Sequence, residues 1–123
     1  MTDIFQQLGV RTIINAKGTS TRVSGATLAP QVAEAMSQAS RRHVDMADLQ
    51  GRAGQIIAGI TGAESALVTS CAAGGLLLGA AACIAGLDPA RMNRLPDTDG
   101  MANEIVMARG HRNFYDHAIR TAG

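Results

Sequence analysis

Aromatic side chains are nearly absent from this sequence: its 123 residues include two phenylalanines, one tyrosine and no tryptophan. A core built around large rings is therefore excluded. The 14 glycines indicate instead that segments pack by close approach of their backbones, which small residues permit. A chain of this length has the size of one small domain and can bury a modest core.

An excess of charge of one sign is also missing. The formal net charge is +1, and acidic and basic residues are interspersed. Because a nucleic-acid or membrane-binding surface is usually basic, we expect neither nucleic acid nor a membrane as a partner. The first residues lack the cationic start and apolar stretch of a secretory signal. A small-molecule substrate and a cytoplasmic location are the expectations.

The sequence has few cysteines. Cys71 and Cys83 are twelve residues apart in apolar surroundings. This spacing is typical of neither a disulfide framework nor a metal site, so we expect a reducing compartment and no bound metal.

Strands and helices are predicted to alternate along the chain. Short apolar stretches predict strands at 11–15, 66–69 and 104–108. Apolar residues at helical spacing predict helices between them, one from Pro30 to about Arg42 and one that Asp45 caps and Gly62 ends. This order predicts an α/β fold, with a parallel or mixed sheet covered by helices. Since three strands make an incomplete sheet, we interpret residues 30–123 as the truncated front part of a larger domain. Residues 1–29 are the expected N-terminal segment and active-site loop.

The stretch 65–86 is the most distinctive part of the sequence. It predicts a buried strand, then a corner of small residues at 70–75, then an apolar helix. The first N–H groups of such a helix lack partners, and small side chains let an anion approach them. The corner is therefore a candidate phosphate site, although a tight turn before a buried helix gives the same pattern. For Cys71 we favour a small filler over a nucleophile, although a helix N-terminus lowers the pKa of a thiol.

Ligands of open α/β sheets collect beyond the carboxyl ends of the strands. Three such ends are predicted, at 15–19, 69–74 and 109–113, and they supply the small-residue corner, an imidazole, guanidinium groups and carboxamides. Neither a Walker A motif nor a GxGxxG follows a strand, which argues against a nucleotide. A phosphorylated cofactor with a flat ring fits better. Arg22 is a candidate for a carboxylate or phosphate of the substrate, or else a solvated loop arginine.

Several segments together resemble a known family. The segments are GVRTIINAKGT (9–19), LQGRAG (49–54), ITGAESALVTS (60–70) and RGHRN (109–113). In these segments the sequence is similar to the selenocysteine-synthase-like group of pyridoxal-phosphate enzymes. That group includes D-glucosaminate-6-phosphate ammonia-lyases. The resemblance covers nearly the whole chain. It implies the N-terminal portion of a large cofactor-binding domain of the aspartate-aminotransferase type, pyridoxal 5'-phosphate as cofactor, and a homo-oligomer.

The resemblance also implies roles for individual residues. Backbone N–H groups of the corner would hold the cofactor phosphate, at Ser70, Cys71, Ala72 and Ala73. The imidazole of His111 would stack on the pyridine ring; otherwise it is a hydrogen-bonding loop residue. The substrate side of the site would be lined by Asn15, Gly18, Thr19 and Arg22.

Lysine is represented only by Lys17. The Schiff-base lysine of the family and the aspartate that pairs with the pyridine nitrogen lie further downstream than this sequence reaches, so the resemblance gives it no catalytic residue. We expect these 123 residues alone to be inactive. The leading interpretation is a lyase that performs an α,β-elimination on a small amino acid or amino sugar acid. The alternatives are a selenium transferase acting on seryl-tRNA, an aminotransferase, or a non-catalytic binding or assembly fragment.

Overall fold

The computed structural model describes residues 3–123, and the regular elements within them are helical. Six α-helices follow one another in this part of the chain: α1 Ile4–Gln7, α2 Pro30–Ala39, α3 Met46–Thr61, α4 Ala72–Ala85, α5 Pro89–Arg94 and α6 Asp116–Arg120. Two short 3-10 turns, Thr21–Val23 and Arg109–His111, complete the regular structure.

The predicted α/β fold with a parallel or mixed sheet is wrong, because residues 3–123 contain no strand. The stretches 11–15, 66–69 and 104–108 belong to no regular element. A strand needs a neighbour that completes its hydrogen-bond ladder, and local sequence does not specify that neighbour. Ile14 and Val106, expected in a covered sheet, are 98% and 99% exposed.

The helix ends follow local signals in the sequence. One carboxylate oxygen of Asp45 accepts hydrogen bonds from two N–H groups of the first turn of α3, and Asp88 does the same for α5. Gly62 ends α3 in the left-handed conformation, with φ at 75°. Pro30 begins α2 as predicted, but the helix ends at Ala39, three residues before the predicted end. The predicted start of α2 and both predicted ends of α3 are therefore confirmed.

The chain divides into two compact units, the first ending at His43 and the second running from Val44 to Gly123. In the second unit α4 packs against α5 and α6. Its buried cluster consists of Ala80, Ile84 and Ala122, with partly buried neighbours Leu77, Ala81, Leu95, Met101 and Ile119. The cluster is aliphatic, in agreement with the shortage of aromatic residues.

Close approach of backbones occurs where α3 meets the stretch before α4. A Cβ atom added at Gly54 would overlap the carbonyl oxygen of Ala66. Only glycine fits at this contact, which sets the distance between α3 and the chain leading into the predicted phosphate corner.

Within residues 3–123, no helix combines the length and the apolar character needed to cross a bilayer. The same part of the chain holds no group of three or more His, Cys, Asp or Glu side chains placed to share a metal ion.

Candidate functional site

The corner before α4 is organised by the side chain of Cys71. This residue is the N-cap of the helix, with an extended backbone (φ −168°, ψ 171°), and its Sγ accepts a hydrogen bond from the N–H of Gly74 at 3.4 Å. The hydroxyl of Ser70 donates to the same sulfur at 3.9 Å, and Thr69 Oγ1 donates to the Cys71 carbonyl at 3.0 Å. Cys71 therefore caps the helix and does more than fill space.

The corner stabilises negative charge. The pKa of the Cys71 thiol is lowered, chiefly by the hydrogen bond from the Gly74 N–H, then by the Ser70 hydroxyl, with a smaller contribution from the Ala73 N–H. Desolvation acts in the opposite direction and is outweighed. Because Cys71 is exposed, this anion-stabilising point can be reached from solvent.

Two glycines keep the first turn of α4 open. A Cβ atom at Gly74 would lie 3.4 Å from Ser70 Oγ and 3.7 Å from the Thr69 Cβ. At Gly75 it would lie 3.6 Å from Thr69 Oγ1. A side chain at either position would contact the side chains that precede the helix. The four predicted phosphate-binding residues, 70–73, follow one another at the start of α4. Their contact with a phosphate stays a prediction.

His111 ends the 3-10 turn Arg109–His111 and is exposed. Its carbonyl oxygen accepts a hydrogen bond from Asn113 Nδ2 at 3.1 Å, and Asn113 Oδ1 accepts from the N–H of Tyr115 at 2.8 Å. These bonds fix the backbone that carries the imidazole. The predicted stacking role stays a prediction.

The first unit contains a cavity of about 830 Å³. All four residues predicted to face the substrate line it, namely Asn15, Gly18, Thr19 and Arg22. The structure thus brings this predicted set together, in the unit that precedes Val44.

Asn15 holds the loop that forms one wall of this cavity. Its Nδ2 donates to the carbonyl oxygens of Gly18 and Gly25 at 2.8 and 3.4 Å, and its Oδ1 accepts from the N–H of Lys17 at 2.9 Å. Gly18 and Gly25 both have positive φ, at 81° and 72°. The amide of Asn15 is thus occupied by the loop backbone, which makes Asn15 a positioning residue.

Arg11 lines the same cavity and was not among the predicted residues. A signal for it exists in the sequence: between Asp3 and Glu34 there is no acidic residue, whereas Arg11, Lys17 and Arg22 are all basic. A run of one sign in a chain that is otherwise balanced marks a local positive surface.

A second, smaller cavity of about 430 Å³ lies in the second unit, with Arg112, Asp116 and Arg120 in its lining. The guanidinium Nε of Arg112 donates to Asp116, whose side chain is 11% exposed. This hydrogen bond is the main cause of a lowered Asp116 pKa, to which the N–H of Asn113 and the charge of Arg120 add. Desolvation opposes the shift. The arrangement is a local ion pair that joins α6 to the turn before it.

No family model matches the chain. It is 39% identical to D-glucosaminate-6-phosphate ammonia lyase of Salmonella typhimurium over 120 residues, which are 98% of this chain and 32% of that enzyme. It is 43% identical to a 5'-C-glycyluridine monooxygenase-decarboxylase of a Streptomyces species over 114 residues, which are 93% of this chain and 29% of that enzyme.

A solved structure of D-glucosaminate-6-phosphate ammonia-lyase matches nearly the whole of this chain. The TM-score is 0.94 at 40% identity, over 99% of this chain and 34% of that structure. The chain therefore spans about a third of the length of the relatives it matches. The resemblance stated from the sequence is confirmed: over nearly all of its length, this chain is a homologue of a part of D-glucosaminate-6-phosphate ammonia lyase.

Proposed function

We propose that this chain provides part of a pyridoxal-phosphate-dependent lyase that eliminates ammonia from an amino sugar acid. The observation that carries the proposal is the match to D-glucosaminate-6-phosphate ammonia lyase, at 39% identity over 98% of the chain and with a TM-score of 0.94 to the solved lyase. Because the chain spans about a third of that relative, we attribute to it cofactor and substrate contacts, and no catalytic residue.

The corner before α4 fits the phosphate of the proposed cofactor. The N–H groups of Ala72 and Ala73 and the hydroxyl of Ser70 would hold it. Two observations support this fit: the first turn already lowers the pKa of the Cys71 thiol, and Gly74 leaves the space that a Cβ atom would fill. When bound, pyridoxal phosphate supplies an electron sink, and the protein contributes anchoring and orientation.

His111 is the proposed ring-stacking residue of the cofactor site. Its side chain is exposed, and its backbone is fixed by the bond from Asn113. An aromatic side chain packed against a flat ring contributes about 0.5–1.5 kcal/mol beyond burial. His111→Ala should therefore weaken cofactor binding by roughly two- to tenfold. His43→Ala, at an exposed position in the other unit, is the matched control.

The cavity of the first unit is the proposed substrate contact. Asn15 holds the loop, while Thr19 offers a hydroxyl and Arg22 a guanidinium to a polar, acidic substrate. We assign Lys17 no covalent role, because it is not among the described residues that line this cavity.

A second candidate function follows from the Streptomyces relative. At 43% identity over 93% of the chain, a 5'-C-glycyluridine monooxygenase-decarboxylase matches about as well as the ammonia lyase. That name describes oxygen consumption and loss of carbon dioxide, whereas the lyase name describes loss of ammonia. The two candidates therefore differ in a measurable product.

The cofactor assignment is tested by comparing pyridoxal phosphate with pyridoxal, which lacks the phosphate. We expect the phosphorylated form to bind this chain more tightly by tenfold or more in a spectral titration, as a charge-assisted anion contact implies. Gly74→Val should abolish that preference by filling the corner. Gly79→Val, on the same helix with nothing within 4 Å of its Cβ position, should retain it. Equal affinity for the two compounds would overturn the assignment.

The reaction is tested on the protein isolated from its own cells. D-glucosaminate 6-phosphate should release ammonia stoichiometrically with its consumption. Oxygen uptake and carbon dioxide release from 5'-C-glycyluridine would support the second candidate instead. Turnover of neither compound, together with cofactor binding, would leave a non-catalytic binding role and contradict the proposed lyase.

A further inference from the structure

The cavity of the first unit has positive charge with no compensating carboxylate. Among the described residues that line it, the charged ones are Arg11 and Arg22. The remaining polar lining includes four hydroxyl side chains, Thr12, Thr19, Ser24 and Thr27. A pocket with two guanidinium groups and several hydroxyls is typical of sites that bind oxyanions.

The sequence around the cavity offers no internal partner for these arginines. Between Asp3 and Glu34 there is no acidic residue. Both arginines are exposed, and neither belongs to an ion pair among the described residues. Two like charges lining one cavity repel each other, and an anionic ligand bound between them would relieve that repulsion.

The backbone that carries Arg22 is fixed before any ligand binds. Arg22 belongs to the 3-10 turn Thr21–Val23, and the carbonyl oxygen of Ser20 accepts hydrogen bonds from the N–H groups of Val23 and Gly25, both at 2.9 Å. The side chain of Asn15 closes the same loop through the Gly18 and Gly25 carbonyls. A preformed loop reduces the entropy lost on binding.

We propose that this cavity is an oxyanion subsite, in which Arg11 and Arg22 together bind the acidic group of a small substrate. The inference rests on the proposed function, because an amino sugar acid phosphate carries both a carboxylate and a phosphate ester. The cavity volume of about 830 Å³ lies in the range typical of small-molecule sites. The inference adds Arg11 to Arg22, so that both guanidinium groups bind the same anionic group.

The binding experiment compares two sugar acids that carry different acidic groups with a neutral sugar. Glucose 6-phosphate carries a phosphate, gluconate carries a carboxylate, and glucose carries neither. We expect the arginine side-chain Nε–H resonances of residues 11 and 22 to shift saturably with one or both acids and to stay unchanged with glucose. The acid that binds more tightly identifies which group the subsite takes.

Charge-removing variants assign the binding to the pair. Arg11→Gln and Arg22→Gln should each weaken the affinity for the acid about two- to fivefold, as expected for exposed ion pairs. If the two contributions add, the double variant should weaken the affinity by roughly four- to twenty-fivefold. Arg42→Gln removes an exposed arginine of the same unit that does not line the cavity, and it should leave the affinity unchanged. Since the substituted side chains are exposed, circular dichroism should show unchanged helix content in each variant.

Binding of the acids should also weaken as salt is raised, because exposed charges are screened. Absence of saturable binding would overturn the subsite, and so would an Arg42→Gln effect equal to that of Arg22→Gln. The result is independent of catalysis. A protein that binds the acids through both arginines yet releases no ammonia would retain the subsite and lose the proposed function. Ammonia release that neither arginine variant changes would support the proposed function and overturn the subsite.

Discussion

The side-chain amide of Gln50 is hydrogen-bonded to both backbone groups of Val68. Its Nε2 donates to the Val68 carbonyl oxygen at 2.9 Å, and its Oε1 accepts from the Val68 N–H at 3.2 Å. A neighbouring strand would satisfy the same two groups in a sheet. The side chain of α3 thus supplies the pairing that the sequence analysis expected from a strand, and it ties α3 to the chain just before the phosphate corner.

Replacing Gln50 with methionine should destabilise the chain. The substitution removes both hydrogen bonds at similar volume, and at about 0.5–1.5 kcal/mol for each bond we expect a loss of about 1–3 kcal/mol in the free energy of unfolding. Urea denaturation measures this loss, and hydrogen exchange should show faster exchange at the Val68 N–H. Gln31→Met, at an exposed position of α2, is the control. Equal effects of the two substitutions would show that the Val68 contact contributes nothing.

Glycines of α3 should respond to alanine with opposite signs. At Gly54 the new Cβ atom would overlap the Ala66 carbonyl oxygen, so Gly54→Ala should cost about 1–3 kcal/mol through overpacking. At Gly59 nothing lies within 4 Å of the Cβ position, so Gly59→Ala should stabilise by about 0.5–1 kcal/mol through helix propensity. Thermal unfolding of the two variants beside the parent chain tests both signs. A stabilising Gly54→Ala would contradict the close contact.

The helix ends could be predicted from the sequence because they depend on residues that are close together along the chain. Asp45 and Gly62 mark the two ends of α3 because a cap is a local interaction within one turn. The predicted strands failed because pairing is non-local: Val68 is paired with a side chain 18 residues away, which no periodicity indicates. Position in space also decides which loop residues line a cavity.

The same contrast between local and non-local interactions applies to the candidate site. The residues predicted to face the substrate, from Asn15 to Arg22, line one cavity because the loop that holds them closes on itself. Their role in substrate binding stays a prediction. Arg11 also lines this cavity but was not predicted to do so, because it lies outside that loop in the sequence. The role of Cys71 as a cap was also missed, since cysteine is uncommon among capping residues.

Cys71 should react faster with iodoacetamide at neutral pH in the folded chain than in urea. The Gly74 N–H and the Ser70 hydroxyl lower its pKa, and the thiolate is the reacting form. Ser70→Ala removes the second of these hydrogen bonds and should slow alkylation of Cys71. Mass spectrometry of the labelled peptides gives the rate at Cys71, with Cys83 in the same sample as the internal reference. An unchanged rate in Ser70→Ala would show that the hydroxyl does not act on the sulfur.

Asp116 should make the stability of the chain depend on pH in the acid range. The hydrogen bond from Arg112 holds the pKa of this carboxyl below its usual range, so the folded state binds a proton less readily than the unfolded state. The stabilisation is then fully present above the unfolded value of about 4 and is lost as pH falls through the lower folded value. Asp116→Asn should therefore reduce stability at neutral pH and flatten its decline below about pH 4.

Urea denaturation midpoints across this pH range measure the effect, and Glu64→Gln at an exposed position controls for the loss of one negative charge. Arg112→Gln should raise the pKa of Asp116, which a carbon-detected titration of the carboxyl reads directly. The smaller contributions from Asn113 and Arg120 remain in that variant, so the pKa should move only part of the way to its usual range. Because Arg112 and Asp116 lie four residues apart, their pairing also fixes the start of α6. If the parent chain and Asp116→Asn lost stability equally as the pH falls, a carboxylate other than Asp116 would be responsible.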